Sequence, residues 1–186
     1  DEAKHVILGE RLEAGTLVTA ETAEKAVALV IGFAAYKHLQ MLRNARNDAR
    51  DLRAFVIDHD FEVIFVLDGT AAQLKEHIKQ FTKMLGPGVV GLVFYAGHGV
   101  QIDGDNYLLP VDIKTDDPDQ TKHDAVSLEV LLGQMERKKS LLNIVIVDAC
   151  RTSLGRGDSD MVLPPAPAGS IVLFAMSSGA SASDGT

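Results

Sequence analysis

The sequence predicts an α/β domain with a mostly parallel central sheet and helices on both faces. Three observations carry that prediction. Strand-length apolar runs alternate with helix-length amphipathic segments, as crossover units require. The runs AVALVI, EVIFVL, VVGLVFY, NIVIV and SIVLFAM are apolar almost throughout, the mark of strands covered on both sides. A chain of 186 residues is long enough to bury such a sheet within a single domain.

The elements follow in order. The first of these strands spans residues 26–31 and is closed by Gly32. From Ala45, apolar residues recur at Ala49, Leu52, Phe55 and Val56, one face of a helix with Asn44 as its cap. Residues 62–67 form the second strand, stopped by Asp68-Gly69. Thr70 then caps a helix carrying Leu74, Ile78, Phe81 and Leu85 on one side. Gly86-Pro87-Gly88 ends that helix, and 89–95 is the third strand. Short extended pieces at 100–102 and 107–109 flank Asp103-Gly104-Asp105-Asn106 and predict a hairpin. A polar loop around Asp116-Asp117-Pro118-Asp119 precedes a helix over 128–139. Strands at 143–147 and 170–176 complete the set. Between them, 152–169 is an exposed Gly/Pro-rich loop, and long loops of that kind often carry function. Residues 1–25 fit the alternation poorly. Val6-Ile7-Leu8 and Thr16-Leu17-Val18 make a hairpin around Glu13-Ala14-Gly15, or the stretch is an extension. The main domain is accordingly placed at 26–186.

Composition narrows the function classes. Hydrophobic residues at 46% and charged residues at 24% are ordinary for a soluble globular domain. No apolar run approaches the roughly 20 residues of a membrane-spanning helix. The first five residues lack the basic start and apolar stretch of a signal peptide, so the default placement is cytoplasmic. An export signal removed from a longer precursor would leave the same start. A net charge of −8 disfavours nucleic acid and anionic membranes as partners. The single cysteine excludes an intrachain disulfide and a thiolate-rich zinc site.

Two residues carry the candidate chemistry. His98 follows the third strand in Phe94-Tyr95-Ala96-Gly97-His98-Gly99, and Cys150 follows the fourth in Val147-Asp148-Ala149-Cys150-Arg151. If those strands are parallel neighbours, imidazole and thiol emerge together at the carboxyl edge of the sheet, where open parallel sheets bind ligands. An imidazole beside a thiol can take the proton that keeps cysteine a poor nucleophile. Flanking glycines allow close approach of a substrate carbonyl to backbone amides. Plainer readings stand beside this one. A lone cysteine after an apolar strand can be a small core residue. His5, His38, His59, His77 and His123 need only surface roles. A zinc site from His98, His123 and Cys150 has no supporting ligand spacing.

Several motifs in order resemble the caspase-like clan, and within it the metacaspase, paracaspase and bacterial caspase-like branch. They are Ala28-Leu29-Val30-Ile31-Gly32 followed by Tyr36, Leu42-Arg43-Asn44-Ala45-Arg46-Asn47-Asp48-Ala49, the His98 and Cys150 segments, Asn106-Tyr107-Leu108-Leu109-Pro110-Val111-Asp112, and Ser181-Ala182-Ser183-Asp184-Gly185. His98 precedes Cys150 by 52 positions, close to the separation of about 50 in that clan.

The resemblance implies a caspase-like three-layer sandwich over 26–186. It also implies a cysteine endopeptidase acting on protein or peptide substrates through a His98/Cys150 dyad, with no third carboxylate and no cofactor or metal. The backbone N–H groups of Gly99 and Cys150 would form the oxyanion hole. Asp48 and Asp148 would bind a basic substrate residue before the scissile bond, giving cleavage after Arg or Lys. Independently of the resemblance, Arg151 and Arg156 lie in or beside the Gly-rich loop after Cys150, and Arg156, the one not adjoining Cys150, is the candidate self-processing site. Three departures stand out. Asp148 replaces the glutamine of classical caspases two positions before the nucleophile. The stretch Asp124-Ala125-Val126-Ser127-Leu128-Glu129 lacks the paired carboxylates of calcium-dependent metacaspases, so calcium is not expected to be required, with Asp116, Asp117 and Asp119 as counter-candidates. The chain resembles the large-subunit portion alone, with a small-subunit segment expected downstream as partner. Alternatives are a catalytically silent scaffold or adaptor on the same fold, an Asp-specific protease using Arg43 and Arg46, and a doubly wound nucleotide-binding domain. The last lacks the glycine spacing after its first strand.

Overall fold

The computed structural model describes residues 4–8, 23–151 and 166–175. Twelve elements run in the order β1 (Lys4–Leu8), β2 (Lys25–Gly32), α1 (Ala45–Ile57), β3 (Glu62–Leu67), α2 (Ala71–Met84), β4 (Val89–Ile102), β5 (Asp105–Leu108), α3 (Pro118–Asp124), β6 (Val126–Ser127), α4 (Leu128–Arg137), β7 (Leu142–Arg151) and β8 (Ser170–Ala175). The strands make one eight-stranded sheet in the order β1-β8-β7-β4-β2-β3, with β5 and β6 continuing from β4 as a side branch. The five neighbours β8, β7, β4, β2 and β3 are parallel to one another. The α/β class with a mostly parallel sheet is therefore as expected.

Alternation along the strands divides the core in two. Val27, Leu29 and Ile31 of β2 join Val93 and Tyr95 of β4 and Val145 and Val147 of β7 on one face. Leu74, Ile78 and Phe81 of α2 and Leu128, Leu131, Leu132 and Met135 of α4 are buried with them. The intervening Ala28 and Val30, with Leu92, Phe94 and Ala96, pack instead with Ala45, Ala49 and Val56 of α1. A strand's period of two thus feeds two helical layers, which is why its runs read as unbroken apolar sequence. Helix α1 lies so close over the end of β2 that a Cβ at Gly32 would sit 2.6 Å from the Ala49 Cβ. No side chain larger than hydrogen fits there.

Local signals account for most boundaries. Thr70 and Gln73 form the reciprocal capping box that starts α2. Asp103 and Gly104, both at positive φ, make the tight turn between β4 and β5. Other expectations need correction. Asn44 keeps helical backbone angles and makes no side-chain cap bond; α1 starts without one. The acidic loop contains α3, because Asp117 accepts the amides of Asp119 and Gln120 and Pro118 suits the first helical turn. Val6-Ile7-Leu8 belongs to β1, which pairs antiparallel with β8, while Thr16-Leu17-Val18 lies outside the described residues. The largest correction concerns β4, which does not end at Tyr95. Its parallel ladder with β7 runs on through Gly99↔Arg151, and its antiparallel ladder with β5 begins at Gly99↔Leu108. The backbone pairing passes directly from one partner to the other, so His98 and Cys150 lie within strands, not beyond them.

Candidate active site

Strands β4 and β7 are adjacent and parallel, and their register sets His98 opposite Cys150. Neighbouring strands lie about 4.8 Å apart, so the two backbones are side by side at the carboxyl edge. The His98 side chain is almost fully buried, at 6% exposure. Its Nε2 lies 2.8 Å from the carbonyl oxygen of Gln40, in the segment between β2 and α1. A carbonyl can only accept, so Nε2 carries a hydrogen, and in the neutral ring Nδ1 is the nitrogen with the lone pair. The partner thereby fixes which nitrogen can act as a base. The Tyr36 ring meets the imidazole at 4.6 Å between centroids and 63°, which restricts ring rotation.

Two buried tyrosines hold the backbone of this histidine. The His98 amide donates to the Tyr36 hydroxyl at 2.8 Å, and that hydroxyl donates to the Leu109 carbonyl at 3.0 Å. The Tyr95 hydroxyl donates to the His98 carbonyl at 2.6 Å, and the Leu109 amide closes on the same carbonyl at 3.1 Å. The chain beside His98 can approach two phenols only because residue 97 has no side chain. A Cβ at Gly97 would lie 2.5 Å from the Tyr95 hydroxyl and 2.7 Å from that of Tyr36. Both hydroxyls are pinned by buried hydrogen bonds and have no room to yield. Gly97→Ala is therefore expected to cost about 1–3 kcal/mol of stability by overpacking. Urea unfolding checks this; a variant as stable as the parent would contradict the packing described.

Asp68, which the sequence marked only as the stop of β3, organises the same edge. It sits at φ 49°, a left-handed conformation that asparagine and aspartate tolerate better than most residues. One carboxylate oxygen accepts the amides of Ala34 and Ala35 at 2.7 and 2.8 Å. The other takes the guanidinium of Arg46 through both Nε and a terminal nitrogen. Burial pushes this carboxyl up, but the bonds from Ala35, Ala34 and Arg46 outweigh it and hold the group below the ordinary value. A depressed carboxyl stabilises the fold above its unfolded value, and that contribution fades only as the solution is acidified.

The remaining candidates fall as follows. Asp148 lies on β7 opposite Ala96, two positions before Cys150 or about 6.6 Å along the strand. It continues the face of Ile144 and Ile146, which packs towards α1. Asp48 lies in the first turn of α1, beside the buried Ala49. Both carboxylates are partly exposed and belong to the α1 side of the sheet. Gly99 pairs with Arg151 and Leu108, and a Cβ there would come within 3.1 Å of the Ala149 Cβ. Arg156 lies outside the described residues. Arg46 is committed to Asp68, which weakens it as a pocket for an acidic side chain. Among the described residues no group of three His, Cys, Asp or Glu side chains is placed to hold a metal. His123 bonds Asp124, and Glu129 holds Asn106 of the hairpin through its backbone and side-chain nitrogens. Nor is any described helix long and apolar enough to cross a membrane. Sequence reasoning gave no site role to Tyr36, Tyr95, Gln40 or Asp68. Tyr36 and Tyr95 at least sat inside recognised motifs, whereas a backbone carbonyl such as that of Gln40 leaves no trace in side-chain identity.

The family model described as the caspase domain matches residues 25–186. The human mucosa-associated lymphoid tissue lymphoma translocation protein 1 is 31% identical over 142 residues, and its mouse homolog is 31% identical over the same length. Each alignment covers 76% of this chain but 16% of the relative. The chain thus spans about one-sixth of the length of the curated relatives it matches. Among solved structures, the Geobacter sulfurreducens protein GSU0716 superposes with a TM-score of 0.54 at 24% identity. That superposition covers 68% of this chain and 50% of the other, and it supports the fold alone.

Proposed function

The chain belongs to the caspase-domain family of peptidases, and from that premise we propose that it is a cysteine endopeptidase cleaving after Arg or Lys through Cys150 and His98. The observation that carries the reading is the register of His98 opposite Cys150, with the imidazole pinned at Nε2 by the Gln40 carbonyl. Nδ1 of His98 takes the thiol proton, and the thiolate of Cys150 attacks the scissile carbonyl carbon. The tetrahedral oxyanion forms against the backbone N–H groups of Gly99 and Cys150. As the C–N bond breaks, Nδ1 returns the proton to the leaving amine and a thioester remains. Water, deprotonated by the same nitrogen, hydrolyses the thioester and regenerates the thiol. No metal or redox partner enters this balance.

Asp148 and Asp48 supply the basic-residue pocket in this reading, supported by their common side of the sheet and by the nearness of Asp148 to the nucleophile. The test is hydrolysis of a peptide amide by the full-length protein before and after alkylation with iodoacetamide. This chain has one cysteine, so a single added carbamidomethyl group in its peptide reports Cys150 alone. Turnover should vanish in step with that label. Full turnover by the labelled protein would overturn the assignment.

A further inference from the structure

We propose that Asp68 is a positioning residue for His98, acting through the loop between β2 and α1; the proposal rests on His98 being the catalytic base. Three groups on that loop or at its ends are involved. Its first residues, Ala34 and Ala35, give their amides to one oxygen of the Asp68 carboxylate. Just past its last residues, Arg46 in the first turn of α1 grips the other oxygen. The loop is closed across its neck by the Leu42 amide, which donates to the Ala34 carbonyl at 3.1 Å. A single carboxylate therefore fastens both ends of one loop.

What the loop carries gives this clamp its meaning. Tyr36 contributes the hydroxyl that takes the His98 amide and the ring that meets the imidazole edge. Gln40 contributes the carbonyl that takes Nε2. Both the backbone and the ring of His98 are thus held by a loop whose own position depends on Asp68. Asp68 directly follows β3, the strand at the edge of the sheet beyond β2, and the hydrogen bonds of its carboxylate go to Ala34, Ala35 and Arg46. Its left-handed backbone at φ 49° is a local cost retained at the turn that aims the carboxylate into the loop. Asparagine at this position would keep the shape and one acceptor for the two amides. Its amide nitrogen would face the Arg46 guanidinium, donor against donor, and release the α1 end of the loop.

The experiment compares Asp68→Asn, Asp68→Ala, Arg46→Ala and His98→Ala with the parent in the full-length protein. It records kcat and KM on a peptide amide, the rate of Cys150 alkylation by iodoacetamide, and the folded fraction from thermal melting. Asp68→Asn should lose about 100-fold in kcat, the order expected when a reacting group is misplaced by about an ångström, with KM little changed. Its alkylation rate should fall towards that of His98→Ala, because a displaced imidazole no longer takes the thiol proton. Arg46→Ala, which frees one end of the loop, should lie between parent and Asp68→Asn. If Asp68→Ala fails to fold, Asp68→Asn and Arg46→Ala decide. The proposal is overturned if folded Asp68→Asn keeps the parental kcat and alkylation rate. It is equally overturned if its losses match its unfolded fraction, since that describes a purely structural residue. His98→Ala separates the two levels of the argument. Full turnover without His98 removes the catalytic reading itself, whereas a dead His98→Ala beside a fully active Asp68→Asn removes only the clamp.

Discussion

Cys150→Ala and His98→Ala should each reduce peptide hydrolysis by at least about 1,000-fold, the scale seen when a member of a nucleophile–base pair is removed. In the proposed mechanism Cys150 supplies the atom that bonds to substrate, so its loss would leave only the oxyanion donors and binding, and the residual rate should be indistinguishable from background. In the same mechanism loss of His98 would remove proton transfer in both directions, worth about 100- to 10,000-fold by itself, and also the means of forming thiolate near neutral pH. The two variants differ structurally. His98 is nearly buried and donates to the carbonyl of the exposed Gln40, so alanine loses one part-buried hydrogen bond, about 0.5–1.5 kcal/mol. His98→Gln can present an N–H to that carbonyl while offering no base, and should recover stability but not activity. Steady-state rates with melting curves check both expectations. Turnover within about tenfold of the parent in either alanine variant would sink the pair.

The second large effect is the choice of substrate. Asp148 lies two positions from Cys150, the proposed nucleophile, on β7, on the face that packs towards α1, and α1 carries Asp48 in its first turn. Two carboxylates sharing a cavity repel, and a cationic side chain relieves that repulsion while donating charge-assisted hydrogen bonds. Arginine should be preferred over lysine, because its planar fork can serve both carboxylates at once. Each such bond is worth about 1.5–3 kcal/mol, so a substrate with alanine before the scissile bond should be cleaved at least about tenfold more slowly. One with aspartate should hardly be cleaved. The pairing of Arg46 with Asp68 points the same way, since that cation is already neutralised. Matched substrates carrying Arg, Lys, Ala or Asp at that position, compared by kcat/KM, test the pocket. A preference for Asp, or an Asp148→Ala variant as Arg-selective as the parent, would contradict it.

The parts legible in the sequence were those written in local chemistry. Unbroken apolar runs gave the buried strands because β2, β4 and β7 feed a helical layer on each face. Thr70 with Gln73, and Asp103 with Gly104, placed a helix start and a turn through bonds or dihedrals internal to a few residues. His98 and Cys150 stood out by residue type and by their separation of 52 positions. What was missed depends on distant partners. Antiparallel pairing of Lys4–Leu8 with β8 joins the two ends of the described chain, and no short window encodes it. The length of β4 was hidden because Gly97 and Gly99 look like a strand end, yet Gly97 is there to admit two tyrosine hydroxyls. Asp117-Pro118 looks like loop and serves as helix cap and first turn. Asp68 before Gly69 looks like an ordinary turn; only the fold brings Ala34, Ala35 and Arg46 to its carboxylate.

The central claim, that Cys150 is the nucleophile of a peptidase, is tested most directly by trapping the acyl-enzyme. The full-length protein is mixed with an arginine ester peptide and quenched in acid within a turnover. The digest is then weighed for the peptide containing Cys150. The account predicts that this peptide gains the mass of the acyl group, that the adduct forms no slower than product, and that neither adduct nor product forms in Cys150→Ala. Product released at the parental rate by Cys150→Ala, or an acyl group found on another residue, would contradict it.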